Sequence, residues 1–185
     1  MQSNGTTVVE AAETRVTNRG GKYLTFQLAQ EEYAIRVLQV REIMGLQHIT
    51  AVPQTPVDMK GVINLRGKVI PVSDLRVKFG LPDTEYTPRT CIIVVQLHGQ
   101  TLNSQMEGDV HHVGVIVDQV SEVLNLQEAD IQDTPDFGRG VSIPYLLGMA
   151  KVKGKVKILL DIDRVMDATD LKAIETLIEQ RDAEN

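Results

Sequence analysis

Residues 33–42 and 113–122 share a pattern that a single small module does not produce. Aligning Tyr33 with Val113 also pairs Val37 with Val117, Gln39 with Gln119, Val40 with Val120 and Glu42 with Glu122, without a gap. A second match follows in the same order. Gly61 pairs with Gly148, Gly67 with Gly154, Lys68 with Lys155, Val69 with Val156 and Asp74 with Asp161, so the string G-x5-G-K-V-x4-D occurs twice. Two copies in the same order imply two similar modules. Short alternating or aliphatic runs between turn signals make them β modules of about five strands each. Units of roughly 70 residues are marginal alone, so the two are expected to share an apolar seam.

Local patterning fills in the modules. Tyr23–Leu28 alternates as a half-buried strand does, Glu32–Val37 reads as its partner, and Ala29-Gln30-Glu31 reads as a tight connection. Pro53 and Pro56 mark a loop. Gly61–Arg66 and Val69–Val72 flank Gly67-Lys68 as a hairpin, with Gly67 expected at positive φ. Further strands are read at Cys91–Leu97 and Val113–Val117, and a last pair flanks Gly154. Residues 1–21 are polar and small and read as a flexible arm. Leu171, Ile174, Leu177 and Ile178 recur at helical spacing after a Thr169 or Asp170 cap, giving a C-terminal helix and frayed tail over 169–185. The expected division is therefore a first barrel at 22–90 and a second at 91–168.

Composition removes several function classes. The 185 residues carry a net charge of −6, which argues against a basic grip on nucleic acid. Aromatics are 4% with no Trp, too few for base-stacking platforms. One Cys cannot staple a fold. The longest apolar run, Cys91–Val95, is far short of a membrane span, so no direct membrane insertion is expected and the chain reads as cytoplasmic.

Chemistry-bearing motifs are sparse. Gly61–Lys68 departs from a phosphate-binding loop: five residues separate the glycines, Val69 stands where a Mg²⁺-binding Ser or Thr belongs, and a strand follows in place of a helix. His111 and His112 are adjacent, so on a strand they face opposite ways and cannot share a metal; His48 and His98 stand alone. The stretch from His98 to His112 reads as an exposed loop. Cys91 opens an apolar strand and is expected to be buried and inert. Asp161 and Asp163 would share a strand face, with Asp161 marking a strand end or turn. No nucleophile, base and orienter set emerges, so neither catalysis nor a cofactor is expected. Arg66 beside its turn is either a solvated charge or a planar fork that braces a loop or docks a partner.

Several of these segments, in order, resemble the CheW chemotaxis coupling family. They are Tyr33-Ala34-Ile35, Val40-Arg41-Glu42-Ile43, Gly61–Gly67 and Pro71–Arg76, then Val115–Val123, Leu147–Lys151 and Ile158–Asp163. The resemblance covers about residues 20–168. It implies an all-β fold of two Src-homology-3-like five-stranded barrels around a shared apolar interface, and a non-catalytic adaptor. Its implied partners are the cytoplasmic tips of methyl-accepting chemoreceptors and the regulatory domain of the histidine kinase CheA, and it would be recruited to the inner face of the membrane through receptor arrays.

An amphipathic receptor tip would lie in the groove between the barrels. Carried over by position, Asn64, Arg66 and Gly67 form the turn that couples to the receptor. Val37, Val40, Glu42 and Ile43 line the first barrel's side of the groove, and Val115 and Val117 the second's. This chain departs from the family pattern in a longer 98–112 loop and a longer tail. Two other readings stand beside this one: a coupling protein of a non-flagellar chemosensory system, and a small-molecule-binding enzyme using the inter-barrel groove.

Overall fold

A computed structural model describes residues 18–82, 84–98, 110–135, 143–166 and 176. The expected C-terminal helix, apart from Thr176, and most of the N-terminal arm lie outside the described residues, as do residues 99–109 of the expected loop.

The chain forms eleven strands among the described residues, and their order follows the turn chemistry. β1 (Gly21–Leu28) and β2 (Glu31–Arg36) make a hairpin across Ala29, a turn residue at φ 55°, and a 3₁₀ turn at Val37–Gln39 leads into β3 (Val40–Gly45). β4 (Met59–Leu65) and β5 (Lys68–Asp74) form the Gly67 hairpin and run into the short helix α1 (Leu75–Lys78). β6 (Cys91–His98) and β7 (Val110–Val117) follow, then β8 (Gln119–Leu126), the two-residue β9 (Ile131–Gln132), the hairpin of β10 (Leu146–Val152) and β11 (Lys155–Leu160), and α2 (Ile162–Val165).

The sheets do not divide at residue 90. One has the order β3-β6-β7-β5-β4 and the other β8-β1-β2-β11-β10-β9. Each curls into a Src-homology-3-like barrel: barrel 1 takes β3–β5 from the first half and β6–β7 from the second, while barrel 2 takes β8–β11 and receives β1–β2. The N-terminal hairpin has crossed over. The repeat shows why this arrangement is self-consistent. β5 pairs in parallel with β7, Val72 beside Gly114, and β11 pairs in parallel with β2, Leu159 beside Ala34. These are equivalent pairs under the sequence repeat, so each half donates two strands to the barrel that the other half completes.

Three apolar clusters result. Ile63, Ile70, Val72, Ile92, Val94 and Ile116 fill barrel 1, and Tyr23, Ala34, Leu126, Ile131, Ala150 and Leu159 fill barrel 2. The largest cluster is the seam between them, where Phe26 and Leu28 meet Ile93, Val95 and Leu97 of β6 and Val113, Val115 and Val117 of β7. A strand buried on both faces has no polar side, which explains the unbroken run Cys91–Val95. Phe26 stacks on Tyr33, followed by Phe79 and Tyr145, with centroids 5.4–6.1 Å apart along the seam's margin.

The crossovers are pinned by polar side chains. Asp74 caps α1, accepting from the Arg76 backbone N–H, and Asp161 caps α2 in the same way through Asp163. Asp163 therefore sits in a helix and not on a strand beside Asp161. Arg76, 2% exposed, reaches Asp74 at 3.3 Å, Asp118 at 3.1 Å and Thr84 at 2.6 Å, and lies over the Tyr86 ring. Asp118 sits where β7 of barrel 1 passes into β8 of barrel 2, and it accepts a 2.7 Å hydrogen bond from the Ala29 N–H in the β1–β2 turn. Asp163, the repeat equivalent of Arg76, accepts from the Gln39 side chain at 2.9 Å and the His98 N–H at 2.8 Å, tying the β2-to-β3 crossover to the end of β6. Burial raises the Asp163 carboxyl above the usual range against these donors.

Tyr86 reports on the first knot. Its hydroxyl donates to Asp74 at 2.9 Å, and burial together with that carboxylate pushes the phenol up to about 12. A phenol raised in the folded state adds stability below the ordinary value of about 10 and loses it above. Chemical-denaturation midpoints are thus expected to fall as pH rises from about 10 towards about 12, with a shallower fall in Tyr86→Phe; equal slopes would show that Tyr86 does not hold its proton in the knot.

Candidate functional site

The Arg66 turn is built by two residues in the left-handed region. Arg66 has φ 51° and Gly67 φ 82°, the geometry of a two-residue type I′ hairpin, and the second hairpin repeats it at Lys153 (51°) and Gly154 (78°). The turn is thus Arg66-Gly67, one residue earlier than the sequence reading placed it. A non-glycine residue in this conformation costs roughly 1–2 kcal/mol. Asn64 offsets part of that by accepting a 3.0 Å hydrogen bond from the Gly67 N–H. Gly61 is required for a different reason: it has φ 140°, and a Cβ there would collide with the Thr50 carbonyl.

Held at this angle, the Arg66 side chain reaches β3, where its Nη2 meets Glu42 Oε1 at 3.0 Å. The guanidinium remains 76% exposed and Glu42 30%. In this environment an ion pair contributes about 0–1 kcal/mol, so its value is positional. It holds the turn against β3, an edge strand of its sheet.

The structure brings together most of the residues singled out in the sequence. Glu42 and Ile43 lie on β3, and Asn64, Arg66 and Gly67 on the adjoining turn, with Ile43 45% exposed. Val37 and Val40 flank the 3₁₀ turn, half-buried against the seam. Between them Leu38 is 85% exposed, the most exposed large apolar side chain among the described residues. Sequence reasoning passed over Leu38 because its repeat partner is Asp118, so the repeat drew no attention to an apolar residue at that crossover.

Val115 and Val117 stand apart from the others. Both are 0% exposed and belong to the seam between the barrels. They do not present a side chain to any partner in this structure. β7 is the central strand of its sheet, between β6 and β5, and its odd-numbered residues from Val113 to Val117 face the opposite barrel.

A cleft of about 350 Å³ opens beside the Arg66–Glu42 pair at the mouth of barrel 1. Leu65, Ile70 and Val94 give it an apolar floor, and Arg41, Arg66 and Lys68 a cationic rim. His112 lines it too; burial first, and then the charges of Lys68, Arg41 and His111, hold its imidazole below the ordinary range. Among the described residues, no three His, Cys, Asp or Glu side chains converge closely enough to hold a metal ion. Cys91 is buried, and burial pushes its thiol up, away from the reactive thiolate. Among the described residues no helix is long and apolar enough to cross a membrane.

The different placements predict different mutational behaviour. Val117→Ala is expected to cost about 2 kcal/mol of stability through the cavity left in the seam. Arg66→Ala should cost less than about 1 kcal/mol. Denaturant titration of both variants checks this, and a larger loss for Arg66→Ala would mean that the ion pair is structural.

Comparison with known proteins agrees with this architecture. The CheW-like domain family matches residues 22–170. The chain is 35% identical over 158 residues to the chemotaxis protein CheW of Klebsiella aerogenes, covering 85% of this chain and 89% of the relative, and 32% identical over 162 residues to that of Rhizobium meliloti, covering 88% and 97%. A crystal structure of the scaffolding protein TtCheW from Thermoanaerobacter tengcongensis is 31% identical and superposes with a TM-score of 0.67 over 82% of this chain and 95% of that one. With two barrels, the duplicated turn and matches over most of its length, the chain belongs to the CheW-like family of non-catalytic chemotaxis scaffold proteins.

Proposed function

We propose that this protein is an adaptor that couples the cytoplasmic tips of transmembrane chemoreceptors to the regulatory domain of the histidine kinase CheA, on the cytoplasmic side of the membrane. The observation that carries this reading is the Arg66 turn. A strained non-glycine turn residue is held across to Glu42 on an edge strand, yet the guanidinium stays exposed and the pair adds little stability. Leu38 and Ile43 are exposed on the same stretch of chain. Exposed apolar side chains and Arg are residue types that interface cores favour.

The roles divide by exposure. Arg66, with Asn64 and Gly67 fixing its turn, makes the polar contact to the receptor; Glu42 orients it; Ile43 and Leu38 supply the exposed apolar area, with half-buried Val40 at its margin. Val37 supports this stretch from beneath. The two barrels act as a rigid mount, and no chemical step is required of them.

Purified protein is expected to co-sediment with receptor-bearing membranes, more strongly when the kinase is present, and to support receptor-stimulated kinase autophosphorylation. Arg66→Ala should keep the circular dichroism spectrum and lose about tenfold in that stimulation, the equivalent of 1.4 kcal/mol of coupling. Retention in neither sedimentation condition, or unchanged stimulation by a folded Arg66→Ala, would contradict the reading.

A further inference from the structure

The two barrels are related by the repeat, yet their mouths are finished differently. The registers fix the equivalences. Ala34 and Gly114 are matched, Thr25 pairs with Ala34 in β1–β2, and Val94 pairs with Gly114 in β6–β7, so Thr25 occupies in barrel 2 the place of Val94 in barrel 1. By the same registers Glu32 stands for His112 and Lys157 for Ile70.

In barrel 2 these positions are polar and engaged within the protein. Lys157, 4% exposed, forms an ion pair with Glu32, and the Thr25 hydroxyl donates to the Glu122 carbonyl at 2.9 Å and accepts from the Glu122 N–H at 3.0 Å. In barrel 1 the same positions are Ile70, His112 and Val94, and there the cleft opens. Its floor is apolar and its charge is unbalanced. Arg66 has Glu42 as a partner, whereas neither Arg41 nor Lys68 has an acidic partner among the described residues.

From this asymmetry we propose that the mouth of barrel 1 is a docking pocket for an acidic segment of a partner polypeptide, one that places an aliphatic side chain on the Leu65–Ile70–Val94 floor and a neighbouring carboxylate between Arg41 and Lys68. The occupant follows from charge complementarity: a site with an apolar floor and two cations that have no acidic partner among the described residues favours a ligand with both features, in a chain whose net charge is −6. About 350 Å³ is at the small end of ligand pockets, which suits one or two side chains of a docked segment. Glu42 already occupies one cation of the rim, so the incoming carboxylate meets the other two. Burial and the neighbouring cations hold the His112 imidazole below its ordinary range, so the attraction rests on the Arg and Lys side chains. Barrel 2 carries its own Glu32–Lys157 pair at this place and is the internal control.

This proposal rests on the adaptor reading for the partner's class, while its test is independent of receptor and kinase. Fluorescence polarisation of a labelled peptide of alternating Glu and Leu is measured against the full chain, beside a peptide with every Glu replaced by Gln. The Glu peptide should bind and the Gln peptide should not. Arg41→Glu with Lys68→Glu should weaken binding about tenfold or more. The same charge change at the equivalent end of barrel 2, Lys153→Glu with Lys155→Glu, should leave it within about twofold.

Equal weakening by both double variants, equal binding of the Gln peptide, or full displacement by millimolar inorganic phosphate would overturn the pocket. All four substituted residues are exposed, so unchanged circular dichroism is the expected control. Peptide binding without co-sedimentation would overturn the adaptor reading alone. Co-sedimentation without peptide binding would overturn this pocket alone.

Discussion

Everything else in this molecule depends on the two points where the chain leaves one barrel for the other. At the β7-to-β8 passage Asp118 is held from both sides, by Arg76 of barrel 1 and by the Ala29 N–H in the hairpin of barrel 2. At the β2-to-β3 passage Gln39 is held by Asp163, which also fixes the end of β6. The two knots are equivalent under the repeat but use opposite charges: a buried Arg meets two carboxylates in one, and a carboxylate meets an amide and a backbone donor in the other. A buried charge is tolerated only where its partners are complete, so buried Arg76 holds the first passage to one path for the chain.

The strand exchange that these knots fix explains the distribution of apolar residues. Were each half to form its own barrel, β1–β2 and β6–β7 would change places, and the seam between Phe26, Leu28, Ile93 and Val95 would have to be rebuilt. As folded, each barrel contains strands from both halves. Neither half of the chain can come away without breaking sheet hydrogen bonds, and the proposed adaptor surface on β3 and the Arg66 turn sits on a barrel that packs on its neighbour through the apolar seam. Rigidity of this kind is what positions a few side chains for recognition at low entropic cost.

Much of this was legible in the sequence, and the limits have physical causes. The hairpins around Gly67 and Gly154 were readable because a type I′ turn demands particular residues locally. Left-handed Arg66 was not, since Gly67 alone signals the turn and leaves the register one residue uncertain. The repeat implied two modules, but not that they exchange strands: β5–β7 and β11–β2 are parallel pairs between distant segments, and short-range pattern carries no information on such partners. Val115 and Val117 were placed at the groove by the family resemblance, and local pattern could not correct this, because alternation says which residues share a face and not whether that face meets a partner or the other barrel. The Arg66–Glu42 pair required the turn's geometry, and the barrel 1 cleft required the comparison of His112 with Glu32.

The central claim is that the exchanged strands weld two barrels into one cooperative unit. Native-state hydrogen exchange across rising denaturant tests it most directly, following amides of β6 in barrel 1 and β11 in barrel 2. The account predicts that the protected amides of both strands open with one common free energy and one common denaturant dependence. Exchange of β8–β11 through an opening that leaves β4–β7 protected would contradict it.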